Sequence, residues 1–356
     1  MALKNPAEPM PVIQIHGTHR ELGLAVGHRL RARIQHVAEE TSRVLSSRGV
    51  TRQSLRDAQG PYVEHVADHF PRLLDELRGL AEGAGVPFEV LFWLNAGGMR
   101  TPLAAGRSEP AATEPDGCTS VASRGPNRVV VGHNEDAHPQ CIDDLFLIDA
   151  TLTTGGAGKS GRFLGLCYAY TLAGCAASMN GDGLIVLVDS LQDPDPQEGV
   201  PCDFLTRAVI EQPSIEAAID CLESAPRNGA AGLLLAQAEK LIHVEMTSKR
   251  LVVSDLCEAG SYAHTNHFVS SELVGKCPTP AAESVARLER ANELAEAGMD
   301  VDRMKRLLGD RTGTDHDVCR ERTIGALVAS TDRAGVEVCL GQPDRGIWTW
   351  HGLEPT

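Results

Sequence analysis

An α+β fold, with two stacked antiparallel sheets and helices outside them, is what this sequence predicts, and three patterns predict it. Helical spacing of apolar residues dominates the chain before residue 96. Strand-like runs joined by turn residues take over from residue 118 to about 254, interrupted by helical spacing over 202–223. Helical spacing then returns over 281–308 before two last strands. Blocks of strands and helices in that order suit layers in which each sheet buries one face on the other sheet and one face under helices.

At 356 residues the length prior is two domains, yet layered folds of this size commonly form one. Apolar residues make up 42%, enough for a large core, and no run approaches the ~20 apolar residues that span a bilayer. Residues 1–11 contain several prolines and no apolar stretch of the kind a secretory signal needs. Ten cysteines lie scattered without a Cys-x-x-Cys pair. That predicts free thiols in a reducing cytoplasm rather than a disulfide frame. A formal charge of −15 repels phosphate backbones and acidic lipid surfaces, so neither nucleic acid nor a membrane is an expected partner.

Taken in order, residues 12–15 read as a short strand. Thr18 with Glu21 three residues later forms a capping-box pattern, and Leu22, Val26, Leu30, Ile34 and Val37 carry a helix to about residue 46. Gly23 and Gly27 share one face of that helix. Each costs roughly 1 kcal/mol against alanine, so close packing on a neighbour is the expected compensation. A second helix is expected over 62–81, with Leu73, Leu74, Leu77 and Leu80 on its apolar side, and a short one over 88–95. Residues 96–115 lose periodicity and read as a linker.

Strands follow at 118–122 and 129–136 around Gly125-Pro126-Asn127. Two hairpins come next, 145–153 with 162–168 and 173–178 with 184–189, the second turning at Asn180-Gly181-Asp182-Gly183. Helices are expected at 202–211 and 214–223, and strands at 232–238, 241–246 and 251–254. A polar motif, Tyr262-Ala263-His264-Thr265-Asn266-His267, precedes helices at 281–297 and 301–308 and strands at 323–329 and 336–339.

The chemistry centres on Asp116-Gly117-Cys118-Thr119. Gly117 leaves the peptide before the cysteine sterically open, and Asp-Gly favours a tight turn. Such a turn can bring the sulfur onto the Gly117 carbonyl for an N-to-S acyl shift that water resolves. The freed α-amine, with a reference pKa near ~8, can then act as base for its own thiol. On the next strand, alternation puts Asn134 and Asp136 on one face and Glu135 on the other. The hairpin is expected to return Asp136 near Cys118, where a carboxylate can orient the charged amine.

His264 and His267 imitate a His-x-x-His metal pair. They lack the intervening glutamate and the helical spacing that would converge them, so no metal is expected. The side-chain amide of Asn266 is a candidate donor to a developing oxyanion. Gly155-Gly156-Ala157-Gly158-Lys159-Ser160 imitates the end of a phosphate loop. The first glycine of that motif would fall at Thr153, and a strand follows instead of a helix, so a hairpin tip is the better reading.

Together these residues resemble the acyl-coenzyme A:isopenicillin N acyltransferase family of N-terminal nucleophile (Ntn) cysteine hydrolases, which includes β-alanyl-amine hydrolases. The likeness runs in order through Gly17-Thr18-x-x-Glu21-x-Gly23-x-x-x-Gly27, Leu80-Ala81-Glu82-Gly83-Ala84-Gly85-Val86 with Leu94-Asn95-Ala96, and Asp116-Gly117-Cys118-Thr119. It continues through Asn134-x-Asp136, Asn180-x-x-Gly183, His264-Thr265-Asn266-His267 and Cys319-Arg320.

The resemblance implies a four-layer αββα sandwich made as an inactive precursor. Cleavage between Gly117 and Cys118 would leave chains 1–117 and 118–356 tightly associated as one domain. It implies Cys118 as nucleophile, Asp136 positioning the α-amine, Asn266 in the oxyanion hole and Arg320, or Arg322, supporting the site. Asn134, Glu135, Asn180, His264 and Thr265 are further supporting candidates, and no cofactor is implied. Penicillin-forming members carry Trp between the Asn and the Asp, where this chain has Glu135, so amide hydrolysis gains over transfer to a β-lactam nucleus.

The expected substrate is therefore a small N-acyl amine, a β-alanyl amide or similar, or an acyl thioester. It would be opened through an acyl-Cys118 intermediate that water resolves. Two alternatives stand beside this: an acyltransferase with an amine acceptor, and an unprocessed binding protein of the same fold.

Overall fold

The computed structural model describes residues 8–97, 117–153, 161–276, 279–312 and 317–353. Most of the expected linker, Asp116 and the Gly155–Ser160 hairpin tip lie outside them. The described helices are α1 (His19–Arg29), α2 (Arg31–Ser47), α3 (Arg52–His69), α4 (Pro71–Ala84), α5 (Phe88–Asn95), α6 (Cys202–Val209), α7 (Ile215–Glu223), α8 (Ala282–Leu294) and α9 (Val301–Leu308). The strands are β1 (Val12–Gly17), β2 (Gly117–Gly125), β3 (Arg128–Asp136), β4 (Leu145–Leu152), β5 (Arg162–Tyr168), β6 (Ala177–Asn180), β7 (Ile185–Leu191) and β8 (Val200–Pro201), then β9 (Arg227–Asn228), β10 (Ala230–Gln237), β11 (Lys240–Met246), β12 (Leu251–Asp255), β13 (Ser261–His264), β14 (Thr323–Ser330), β15 (Gly335–Leu340) and β16 (Trp348–Gly352).

Two large sheets form the centre. One has the order β1-β4-β5-β6-β7-β10-β11-β12, the other β13-β2-β3-β14-β15-β16. The second is antiparallel throughout. The first departs from the expectation at one edge, where β1 runs parallel to β4. A parallel neighbour needs a crossover, and here the chain between β1 and β4 holds α1 to α5 and the hairpin β2–β3 of the other sheet.

Three apolar clusters define four layers. Leu22, Val26, Leu77, Leu80, Phe92 and Phe204 pack on Phe146, Ile148, Leu233 and Val244 of the first sheet. Leu147, Leu164, Leu187 and Leu234 meet Val129, Val131, Leu327 and Val338 between the sheets. Ala291, Met304, Leu307 and Leu308 cover Val121, Val130 and Val328 of the second sheet. The αββα sandwich is thus the chain's own alternation made physical: along β3, Val129 and Val131 face inward while Val130 faces the helices.

Thr18 caps α1 as expected. Its backbone N–H donates to Glu21 Oε2 at 2.7 Å and its hydroxyl accepts the Glu21 N–H at 3.3 Å. The helix expected to run to residue 46 breaks at Leu30, which leaves helical geometry, and α2 follows with Ile34 in the same core. The break leaves α1 free to lie directly on α4. A Cβ at Gly23 would sit 2.0 Å from the Glu76 carbonyl oxygen, and one at Gly27 would sit 2.5 Å from that of Leu80. The glycine stripe is the close-packing face that its spacing predicted.

The expected 62–81 helix is two helices, α3 and α4, divided at Phe70-Pro71. Proline donates no N–H and pushes the residue before it out of the helical region, and Phe70 accordingly adopts φ −135°. β13 and β16 were not among the expected strands. β16 carries an exposed Trp350 and β13 is only four residues long, too little pattern to register as alternation.

Candidate active site

Cys118 is the second residue of β2, which lies between β13 and β3 inside the second sheet. The register sets Cys118 opposite Glu135 and Gly117 opposite Asp136. Residues directly opposite share a face, so the sulfur and Glu135 project between the sheets, while Asp136 and Asn134 project toward α8 and α9. The Cys118 thiol donates to Glu135 Oε2 at 3.8 Å. Burial pushes the thiol pKa well above its usual range, and the charges of Glu135, Asp189 and Asp136 push the same way. The backbone of Ser190, in β7 of the facing sheet, is the one influence that favours the thiolate.

Glu135 is held at both oxygens. Tyr168 donates its hydroxyl to Oε1 at 2.8 Å, and His133 Nε2 meets Oε2 at 3.0 Å. Burial alone would lower the His133 pKa, but the hydrogen bond and charge of Glu135 raise it. Beyond His133 the network continues through Ser120 Oγ (3.0 Å from His133 Nδ1) to Asp189 Oδ1 (3.0 Å). His264 Nδ1 then meets Asp189 Oδ2 at 2.9 Å, and its Nε2 lies 3.3 Å from Glu245 Oε1. Burial opposes protonation of His264, yet these two carboxylates carry its pKa up to about 9. His243, its ring 4.3 Å from that of His264, is driven the other way by burial and by the charge of its neighbour.

On the helix face, Arg287 of α8 is the organising side chain. Its Nη1 donates to the Cys118 carbonyl at 2.6 Å and to Thr119 Oγ1 at 2.9 Å, and its Nη2 donates to Asn266 Oδ1 at 2.8 Å. Asn266 Oδ1 also accepts the Cys118 backbone N–H at 2.8 Å, while Asn266 Nδ2 donates to the Ser190 carbonyl at 3.1 Å. A Cβ at Gly117 would come within 3.0 Å of both Arg287 Nη2 and Asn266 Oδ1. Glycine at that position therefore lets both groups close on the Gly117–Cys118 peptide.

Asp136 takes the Thr323 hydroxyl at 2.6 Å and lies 3.5 Å from Arg320 Nη1 and 4.0 Å from Arg287 Nη1. Arg320 also lies 3.3 Å from Glu283, which pairs with Arg287 at 3.0 Å. Of the two late arginines it is thus Arg320 whose guanidinium stands at Asp136, while the Arg322 carbonyl accepts the Ala137 N–H.

The remaining sequence candidates are placed as follows. Thr265 donates to the Ser284 carbonyl, and the Asn266 N–H donates to Ser284 Oγ, which docks the 264–267 motif on the first turn of α8. His267 turns to the same serine, so it and His264 do not converge. Asn134 Nδ2 donates to the carbonyls of Leu308 and Val318, and Asn180 Nδ2 to those of Ile210 and Gln212. Both tie elements together away from the sulfur.

Among the described residues, Cys118, His133 and Glu135 form one group of metal-ligand type atoms, and His243, Glu245 and His264 form another. In each, the histidine nearest the carboxylate is engaged in a hydrogen-bonded ion pair with it.

Sequence reasoning missed Arg287, His133, Tyr168, Asp189 and Glu245. Arg287 left no mark of its own in the sequence: Ser284, Arg287 and Ala291 follow helical spacing, but only their burial in the structure shows that a cation stands in the inner stripe of α8. The other four sit on strands whose neighbours across the sheets cannot be read from a single sequence.

The beta-alanyl-dopamine/carcinine hydrolase of Drosophila melanogaster is 27% identical over 230 residues, 61% of this chain. The alignment covers 58% of that relative's length. The family model for acyl-coenzyme A:6-aminopenicillanic acid acyl-transferase matches residues 123–345, from just past Cys118 through β15. With more than half of the chain inside that match, and two sheets enclosed by helices around the Cys118 strand, the chain belongs to the acyl-coenzyme A:6-aminopenicillanic acid acyl-transferase family.

Proposed function

We propose that the chain is a self-processing N-terminal cysteine amidohydrolase of small N-acyl amines. The observation that carries this reading is the seating of Cys118. Its nitrogen lies 2.8 Å from an acceptor that Arg287 fixes, and its sulfur lies 3.8 Å from a carboxylate on the opposite face. A nitrogen bonded to an amide oxygen in the uncut chain keeps that acceptor when cleavage turns it into an ammonium or amine. The carboxylate of Asp136, the Arg320 guanidinium and the Thr323 hydroxyl lie together on the helix-facing side.

After cleavage between Gly117 and Cys118, the α-amine takes the thiol proton. The sulfur attacks the substrate carbonyl, and the amine returns the proton to the leaving nitrogen. Water then releases the acyl group from Cys118. Stabilising the oxyanion with Asn266 requires its Nδ2, so in this role the substrate oxygen replaces the Ser190 carbonyl as its partner. The named activity of the Drosophila relative supports amide substrates of the β-alanyl amine type. The nine described cysteines are all free, which supports a reducing compartment such as the cytoplasm. Among the described residues no helix is long and apolar enough to cross a membrane.

The test is intact mass. The wild-type chain is expected as two polypeptides, the second beginning at Cys118, and Cys118→Ala as one uncut and inactive chain. Cleavage of the alanine variant at that bond would overturn the proposal, as would a wild-type protein that turns over amides while still whole. The family's description favours one second reading, transfer of the acyl group to an amine. Added amine acceptors diverting the acyl group from water at millimolar concentration would establish it.

A further inference from the structure

In the uncut chain the base assigned to the mature enzyme does not exist. Cys118 N is an amide that donates its hydrogen to Asn266 and has no basic lone pair. The thiol is nevertheless buried and harder to ionise than a free cysteine, so its proton needs a specific acceptor. We propose that Glu135 is the general base of maturation: its Oε2 takes the Cys118 thiol proton, and the thiolate attacks the Gly117 carbonyl carbon. This inference rests on the reading that the chain cuts itself.

The hydrogen-bond inventory sets the charges of this network. Ser120 has one hydroxyl hydrogen, and it points to Asp189 Oδ1. Toward His133 Nδ1 the same oxygen can therefore only accept, so Nδ1 carries a hydrogen. The other ring nitrogen, Nε2, faces the Glu135 carboxylate, which accepts only, so Nε2 carries a hydrogen too. With Glu135 as a carboxylate, His133 is an imidazolium, in line with the upward shift that Glu135 gives it, and the carboxylate oxygen can receive a proton. Tyr168 holds the second oxygen, which keeps the first aimed at the sulfur. The sulfur, His133 Nε2 and the Glu135 oxygen all lie within 4.8 Å of one another. When the proton crosses from sulfur to Glu135, the imidazolium exchanges a carboxylate for a thiolate as its anionic partner, and the net charge of the group is unchanged.

The steps balance. The S–H bond breaks and Glu135 is protonated. The sulfur–carbon bond to Gly117 forms, and the carbon–nitrogen bond breaks as the Glu135 proton passes to the departing Cys118 nitrogen. A Gly117–Cys118 thioester and a free α-amine result. Water then adds hydroxyl to the Gly117 carbon and hydrogen to the sulfur, and the new Gly117 carboxylic acid gives its proton to the α-amine, leaving a carboxylate and an N-terminal cysteine ammonium.

Glu135→Gln removes the base at constant size. The expected result is slowing of cleavage by about a hundredfold or more, followed by intact mass on the purified full chain with circular dichroism as the folding control. The pH profile separates a base from a merely structural side chain. Across about pH 5 to about pH 9 the wild-type rate, served by an internal base, should hold a plateau, whereas the variant rate should keep rising about tenfold per unit with hydroxide. If Glu135→Gln does not fold, Glu135→Asp serves, with the carboxylate drawn back by one methylene. It should cut at least about tenfold slower and keep the plateau. A wild-type chain that stays whole would sink the self-cutting reading itself. A wild-type chain that cuts, with either variant matching its rate and profile, would overturn the role of Glu135 alone.

Discussion

Arg287 shows how much of this site hangs on single side chains. A guanidinium presents several N–H groups in a fixed fork, and here the fork spans the Cys118 carbonyl, Thr119 and Asn266 while two carboxylates, Glu283 and Asp136, balance its charge. A lysine carries the same charge on one point and cannot hold those partners together. Arg287→Lys is therefore expected to fold and to slow both chain cleavage and amide turnover by about tenfold or more, measured on the same preparation by intact mass and initial rates. Arg287→Ala takes one of two donors from the half-buried Asn266 oxygen and leaves Glu283 and the buried Asp136 with Arg320 as their remaining cation. It should lower stability by about 3–5 kcal/mol in urea unfolding. The sequence pointed to Cys118, Asn266, Asp136 and Arg320 because they lie in compact motifs. It passed over Arg287 because one arginine in a charged helix has no local mark beyond its burial, and burial is a tertiary fact.

The strand pair β2–β3 converts a register into chemistry. Pairing Cys118 with Glu135 puts a carboxylate at the sulfur, and pairing Gly117 with Asp136 puts the other carboxylate on the helix side of the Gly117–Cys118 peptide. Alternation along β3 was legible in the sequence. Which of the two acids would meet the sulfur was not, because a one-residue slip exchanges the faces.

The pair α1–α4 makes a similar point about glycine. In an exposed helix Gly→Ala is worth about 1 kcal/mol of added stability. At Gly23 the new Cβ would stand 2.0 Å from the Glu76 carbonyl and 2.7 Å from the Leu80 nitrogen, both backbone atoms. Gly23→Ala should accordingly reverse the sign and destabilise by about 3 kcal/mol or more, seen as a lowered urea midpoint. An unchanged or raised midpoint would show that the two helices can part at little cost.

Across the whole molecule, the space between the sheets is not purely apolar. It holds a line of hydrogen-bonded polar groups from Glu135 through His133, Ser120 and Asp189 to His264 and Glu245. His264 belongs to the second sheet, and Asp189 and Glu245 to the first, so the ion pairs bridge the layers. The folded-state pKa of His264, about 9, lies above the ordinary histidine value near ~6.5. Its contribution is therefore complete below about pH 6.5 and is lost as pH rises through about 9. Urea unfolding of wild type and His264→Gln should differ most near neutrality or below, with the gap narrowing toward pH 9 and above. A gap that widens with pH would mean that His264 is buried neutral.

Sequence by itself determined the layer order, most of the elements, the cap at Thr18 and the glycine face of α1, and it pointed to the cysteine proposed as nucleophile, because all of these are written in local periodicity and short motifs. Only the tertiary structure decided that Glu135 rather than Asp136 meets the sulfur, that Arg287 joins Cys118 to Asn266, and that His264 pairs with Asp189 and Glu245 rather than with His267. Those contacts cross from strand to strand, sheet to helix and sheet to sheet. Their partners lie up to 169 residues apart, a distance over which spacing along a chain carries no geometry.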